Sequence, residues 1–116
     1  MMAEDSITHE EYVTRGAFFI EKHGRRIAEL TYGHARAGLV NIDHTEVDAR
    51  LRGQGVARLL LDAAVRWARA THTKVTTTCP YATVQFARDP TIRDVLSPDA
   101  MAAPDAAACE IRRPNG

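Results

Sequence analysis

Residues 47–68 read VDARLRGQGVARLLLDAAVRWA and carry the clearest structural signal in the chain. Val56, Leu59, Leu60, Ala63, Ala64 and Trp67 recur at i, i+3, i+4, i+7, i+8 and i+11, one apolar stripe of an amphipathic helix. The spacing predicts a helix over about residues 55–71. Arg58, Asp62, Arg66 and Arg69 take the opposite side, where the 58/62/66 spacing permits ion pairs. Just before the helix, Gly53 and Gly55 flank Gln54. Glycine lets a backbone approach a bulky anion with no Cβ in the way. The unpaired N–H groups and the dipole at a helix start then favour phosphate. Arg50 and Arg52 either add charge beside this loop or simply face solvent. Locally, the segment is a phosphate loop or a tight turn into a helix.

The flanking residues read as strands. Residues 17–20 (AFFI) suit a pleated surface. His23-Gly24-Arg25 is a turn signal. Residues 26–32 alternate Ile27, Glu29 and Thr31 against Ala28, Leu30 and Tyr32, as a half-buried strand does. Residues 33–38 break the pattern, and 39–47 (LVNIDHTEV) form a third strand. Connections this short make these three strands an antiparallel meander. After the helix, 74–78 (KVTTT) is a fourth strand, and a strand–helix–strand order implies a parallel pair. Cys79-Pro80 opens a short second helix, with proline well placed at its first position. Asp89-Pro90 closes it, and 91–96 form a last helical turn. The expected fold is mixed α/β (α+β): a mostly antiparallel sheet with one parallel pair, one long helix and one short one. Residues 1–14 read as a flexible lead-in and 15–96 as the folded domain. The Ala/Pro-rich stretch 97–116, which holds Cys109, reads as disordered.

Composition narrows the function. The 116 residues carry 15 Lys+Arg and 15 Asp+Glu, a net charge of zero. That argues for a single domain without a broad electrostatic grip on nucleic acid or an anionic membrane. Two cysteines make neither a disulfide framework nor a zinc ribbon. The polar N-terminus is not a signal peptide, and no apolar run is long enough to span a bilayer. The expectation is a cytoplasmic protein with no metal. Cys79 and His44 alone do not supply a zinc ligand set, and His9, His23, His34 and His72 are read as surface residues.

Two common phosphate loops are excluded. G-x-x-x-x-G-K-[ST] is absent. A dinucleotide fingerprint needs Gly or Ala where this chain has Arg58, and an acidic residue about 20 positions on. The segment R50-L51-R52-G53-Q54-G55-V56 instead resembles the [Q/R]-x-x-G-x-[G/A] signature of the GCN5-related N-acetyltransferases. With I-D-H-T-E-V (42–47), R-G-Q-G-V-A (52–57) and C-P-Y-A-x-x-F (79–86 with Thr83, Val84 and Gln85), the chain resembles a small acetyltransferase-like subfamily over about residues 15–96. The resemblance implies acetyl-CoA as co-substrate. Its pyrophosphate would lie on Arg50, Arg52, Gly53, Gln54, Gly55, Val56 and Ala57. Its pantetheine arm would lie in a gap between strands 39–48 and 74–78, beside Val47. Superfamily members also build an acceptor pocket from N-terminal elements mostly missing here. That leaves the acceptor site open, completed by a partner, or absent.

Four residues are candidates for chemistry. Cys79, at a strand end and a helix N-terminus, is an acyl-accepting thiolate or an inert buried cysteine. His44, placed on the same face as Ile42 and Glu46, is a general base or a hydrogen-bonded strand residue. Glu46 is a base acting through water or a surface carboxylate. Tyr81 protonates the departing thiolate or packs the second helix. The leading expectation is transfer of acetyl from acetyl-CoA to an unidentified amine or protein, directly or through Cys79. The alternatives are a non-catalytic acetyl-CoA-binding module acting through a protein partner, and a scaffold for another phosphate ligand.

Overall fold

The computed structural model describes residues 7–98. The elements are β1 (Thr8–Glu11), β2 (Arg15–Lys22), β3 (Arg25–Arg36), β4 (Leu39–Val47), α1 (Val56–Ala70), β5 (Lys74–Thr77) and α2 (Pro80–Arg88). Short 3₁₀ turns cover Ala49–Leu51 and Pro90–Val95. The strands form one sheet in sequence order. β1 to β4 are antiparallel, and β5 joins β4 in parallel. The expected architecture is therefore present. The tail proposed over 97–116 starts too early, since Ser97 is buried and its N–H donates to the Val75 carbonyl at 2.8 Å. Residues 99–116 with Cys109, like the first six positions, lie outside the described residues.

The antiparallel part has one strand more than expected. Thr8–Glu11, read as flexible lead-in, pair with Gly16–Phe19 at the sheet edge. The reason is tertiary. His9 stacks on Phe18 at 4.1 Å and shares a 2.7 Å hydrogen bond with the Tyr32 hydroxyl. It also meets Trp67 edge-on at 5.2 Å. His9, exposed as a residue, is thus engaged by rings from two strands and α1. On the other face Glu10 pairs with Arg26 at 2.7 Å. A strand of polar residues whose partners are distant in sequence leaves no apolar alternation to read. β3 also runs on to Arg36, because Gly33 and His34 keep their pairing with Asn41 and Val40.

α1 packs on one face of the sheet. Leu60, Leu61, Ala64 and Val65 meet Phe18, Ile20, Leu30, Tyr32, Val40 and Ile42 in a single cluster. Leu60 and Leu61 are wholly buried, each worth about 1.5–3 kcal/mol relative to exposure. The buried line of α1 is Val56, Leu60, Leu61, Ala64, Val65 and Ala68. Leu59, Ala63 and Trp67 become half-buried flanks, a rotation from the predicted stripe. The cause is the returning chain, since Ile92 and Val95 join the cluster beside α1. α2 adds Ala82 and Phe86 to the same cluster. With both helices there, the opposite sheet face carries polar side chains that cover the buried Ala17 and Phe19. Arg26 lies over the Phe19 ring at 3.7 Å and reaches Glu29 at 2.6 Å.

Arg58 clamps the two helices together. It donates to Asp62 at 2.8 Å, to Gln85 at 2.9 Å and to Asp89. The Thr91 hydroxyl and Arg58 hold the Asp89 carboxyl down to about 2. A depressed carboxyl contributes stability at neutral pH that is lost as pH falls through its folded value. Asp89→Asn should therefore lower the Tm at pH 7 and flatten the acid limb of the stability curve between about pH 4 and pH 2. Gly16 faces a tighter limit, since a Cβ there would lie 2.3 Å from the Tyr32 ring. Gly16→Ala should cost about 1–3 kcal/mol, measured by urea titration with Trp67 fluorescence. An unchanged midpoint would show that the ring moves aside freely.

Candidate functional site

The site starts where β4 and β5 part. Their ladder runs from Leu39–Lys74 to Ile42–Thr77 and stops. Both Thr78 N–H and Cys79 N–H then donate to the Ile42 carbonyl, at 3.0 and 3.2 Å. β5 turns into α2 while β4 continues to Val47. Past Ile42, β4 therefore has an edge that does not pair with β5, the place where the family resemblance implies a gap for the pantetheine arm.

At the same point β4 contains an extra residue. Tyr32 pairs with Ile42 and Thr31 with His44, which leaves Asp43 as a β-bulge. Its carboxylate accepts from Thr31 Oγ1 at 2.5 Å and pairs with Arg15 at 2.9 Å. Burial pushes this carboxyl up, but the bonds from Thr31 and Arg15 outweigh it, and the net shift is downward. The bulge changes which residues share a face. Thr45 sits opposite Leu30 and joins Ile42 on the helix side. His44 and Glu46, opposite Thr31 and Glu29, point to the uncovered face. Simple alternation placed His44 with Ile42; the structure corrects this and keeps only the His44–Glu46 pairing. Their side chains are 59% and 74% exposed, with Nε2 and Oε1 3.4 Å apart.

Cys79 lies on the other side. It is 2% exposed, is the N-cap residue of α2, and has its Sγ 3.4 Å from Thr45 Oγ1. His44 and Cys79 therefore stand on opposite faces of β4 and do not form a relay. Tyr81, in the first turn of α2, packs against the core cluster. Burial pushes its hydroxyl pKa up, so it stays protonated at neutral pH.

Beyond Val47, which is half-buried against the core, the loop is held by its own side chains. Asp48 accepts from the Arg50 backbone N–H at 2.9 Å and caps the 3₁₀ turn. The Arg50 N–H and guanidinium hold the Asp48 carboxyl down to about 2. Gln54 donates to the Arg50 carbonyl at 3.2 Å. Gly53 and Gly55 both have positive φ, 83° and 75°, a conformation that favours glycine. Gly55 is the N-cap of α1 and supplies no side-chain cap bond. The first N–H groups of α1 thus remain available for an anion. The Val56 side chain is buried in the core, so Val56 can serve only through its N–H, and Ala57 follows it in the first turn. Arg50 and Arg52 are exposed at the loop. Sequence reading missed Asp48 and Asp43. The first had a signal, since Asp before a turn commonly caps it; the bulge had none.

This chemistry fits a ligand with phosphate groups and an amide-containing arm: the helix N–H groups suit the phosphates, and the unpaired edge of β4 suits the arm. Among the described residues, no group of three or more His, Cys, Asp or Glu could hold a metal ion, and no helix is long and apolar enough to cross a membrane.

Comparison with known proteins agrees. A family model described as GCN5-related N-acetyl-transferase matches residues 17–95. The fold is similar to the solution structure of a GCN5-like candidate N-acetyltransferase from Staphylococcus aureus. The two share 30% identity and a TM-score of 0.63, over 79% of this chain and 89% of that one. More distant likenesses show the fold alone. GCN5 of Tetrahymena matches at 10% identity and TM-score 0.54, over 66% of this chain and 50% of that one. A candidate streptothricin acetyltransferase from Bacillus anthracis, solved with acetyl coenzyme A, matches at 17% identity and TM-score 0.51, over 67% and 47%. The chain thus spans about half the length of these two proteins. No match was found among curated proteins. The chain belongs to the GCN5-related N-acetyltransferase family, whose acyl donor is acetyl-CoA.

Proposed function

We propose that this chain is an N-acetyltransferase that moves acetyl directly from acetyl-CoA to an amine, with His44 as general base. The observation that carries the reading is the coincidence of two features on β4. The strand loses its β5 partner after Ile42, and the adjacent bulge turns His44 and Glu46 onto the face where an acceptor has access. The loop from Arg50 to Ala57 holds the pyrophosphate, mainly through main-chain N–H groups. The pantetheine arm lies along the uncovered edge of β4, with Val47 at its phosphate end.

The amine nitrogen attacks the thioester carbonyl carbon, and a main-chain N–H on this edge stabilises the oxyanion. His44 takes the proton lost by the amine, and Glu46 orients the imidazole or relays the proton through water. Collapse breaks the C–S bond, and the thiolate of coenzyme A takes a proton from Tyr81, which is reprotonated from solvent as His44 releases its proton to solvent. Cys79 lines the buried side of the gap. Its burial, and its separation from His44 by the sheet, favour direct transfer over an acetyl-cysteine intermediate. A second reading, a non-catalytic acetyl-CoA-binding module working with a partner, draws on the uncovered acceptor face.

The test is coenzyme A release from acetyl-CoA with a panel of small amines, lysine peptides and protein N-termini. His44→Gln should lower kcat by about 10²–10⁴-fold with acetyl-CoA affinity unchanged. Cys79→Ser should keep turnover, and intact mass of the wild type should show no acetyl gain; a gain lost in Cys79→Ser would overturn direct transfer. Tight acetyl-CoA binding without transfer to any acceptor would favour the binding module. Asp43→Ala, which removes the anchor of the bulge, should cost about 1–2 kcal/mol of stability and weaken acetyl-CoA binding. Calorimetry checks both.

A further inference from the structure

Beside the loop lies a groove of about 540 Å³ that the transfer chemistry does not use. It is formed by the turn between β2 and β3 and the outer side of residues 48–51. Lys22, His23, Arg25 and Arg50 line it, with Asp48 as the sole carboxylate. Ile27 and Leu51 supply its apolar part, and both pack against the core. A cationic rim around an apolar floor suits a ligand with a flat apolar ring and a compact anion.

The cations are gathered rather than scattered. Arg25 and Arg50 come from segments far apart in sequence, yet both reach one oxygen of Asp48, at 3.2 and 3.4 Å. Their side chains are 60% and 78% exposed, so the guanidinium groups remain accessible to a ligand. One carboxylate facing Lys22, Arg25 and Arg50 leaves the groove with net positive charge. Asp48 thus holds two bidentate phosphate binders together before any ligand arrives. The register explains why the groove adjoins the loop. Ala28 pairs with Val47, so the β2–β3 turn extends past the end of β4 and flanks residues 48–51.

We infer that this groove binds the 3′-phosphorylated adenosine end of coenzyme A, with Lys22, Arg25 and Arg50 on the 3′-phosphate and Ile27 and Leu51 beneath the nucleoside. The inference rests on the acetyl-CoA reading above and adds a specificity element to it: a contact that distinguishes coenzyme A from its 3′-dephospho form. Arg50 would link the two halves, since it belongs to the loop that holds the pyrophosphate and to the wall of the groove.

The test is calorimetric titration of the full chain with coenzyme A and with 3′-dephospho-coenzyme A. The wild type should prefer coenzyme A by about tenfold or more, the scale of one or two hydrogen bonds to a charged group. The Lys22→Ala, Arg25→Ala double variant touches neither the loop N–H groups nor β4. It should bring the two affinities together, by weakening coenzyme A while 3′-dephospho-coenzyme A stays as in wild type. Adenosine 3′,5′-bisphosphate should compete with coenzyme A far better than adenosine 5′-diphosphate, whereas a general polyanion site would treat them alike. Equal binding of both coenzymes by the wild type overturns this inference and leaves acetyl-CoA binding standing. A preference that survives in the folded double variant, with its circular dichroism unchanged, overturns the assignment to these residues. Failure of either coenzyme to bind overturns the acetyl-CoA reading and this inference together.

Discussion

One extra residue in β4 organises the functional half of this protein. Asp43 has no counterpart in β3, and its carboxylate is tied down by Thr31 and Arg15. Without the bulge, strict alternation would send His44 and Glu46 into the helix-covered core and bring Thr45 out. Burying an imidazole and a carboxylate there without partners would cost several kcal/mol. With the bulge, the core keeps Ile42 and Thr45 while the polar pair reaches the open face. A bulge also increases local twist, and β4 and β5 stop pairing at this same place. One local irregularity thus coincides with both the end of β4–β5 pairing and the outward turn of His44 and Glu46.

The sheet is used asymmetrically. One face carries the whole apolar cluster under α1 and α2. The other is held by charge and hydrogen bonds, Glu10 with Arg26, Arg26 with Glu29, and Arg15 with Asp43. Such exposed pairs add little stability individually. The fold therefore rests on the helix side, and the open side carries the exposed His44 and Glu46. Cys79 belongs to the stabilising side, which is why its place at a strand end and helix start does not make it accessible.

The loop between β4 and α1 is preorganised by polar side chains. Asp48 caps the turn, Gln54 closes it onto Arg50, and Gly55 opens α1 without a side-chain cap. Donors fixed before binding need little reordering when an anion arrives. Asp48 also pairs with Arg25 of the neighbouring hairpin, outside these loop bonds.

Much of this was legible in the chain itself. The helical period of residues 56–67, the glycines before it, the proline at the start of α2 and the strand at 39–47 are local signals, and each marks an element close to where it lies. They also sufficed for the resemblance to the acetyltransferase family and for the loop proposed to hold phosphate, whose chemistry would reside in backbone N–H groups that follow from helix geometry. What depended on partners far away in sequence could not be read. β1 exists because His9 meets Phe18, Tyr32 and Trp67. The buried line of α1 rotated because Ile92 and Val95 return beside it. The face presented by His44 was set by a register between β3 and β4 that no residue type announces. Sequence determined every described strand and helix except β1, because propensity, period and turn chemistry act over a few residues. Only the tertiary structure decided which side chains meet, because register and burial are settled by packing between elements.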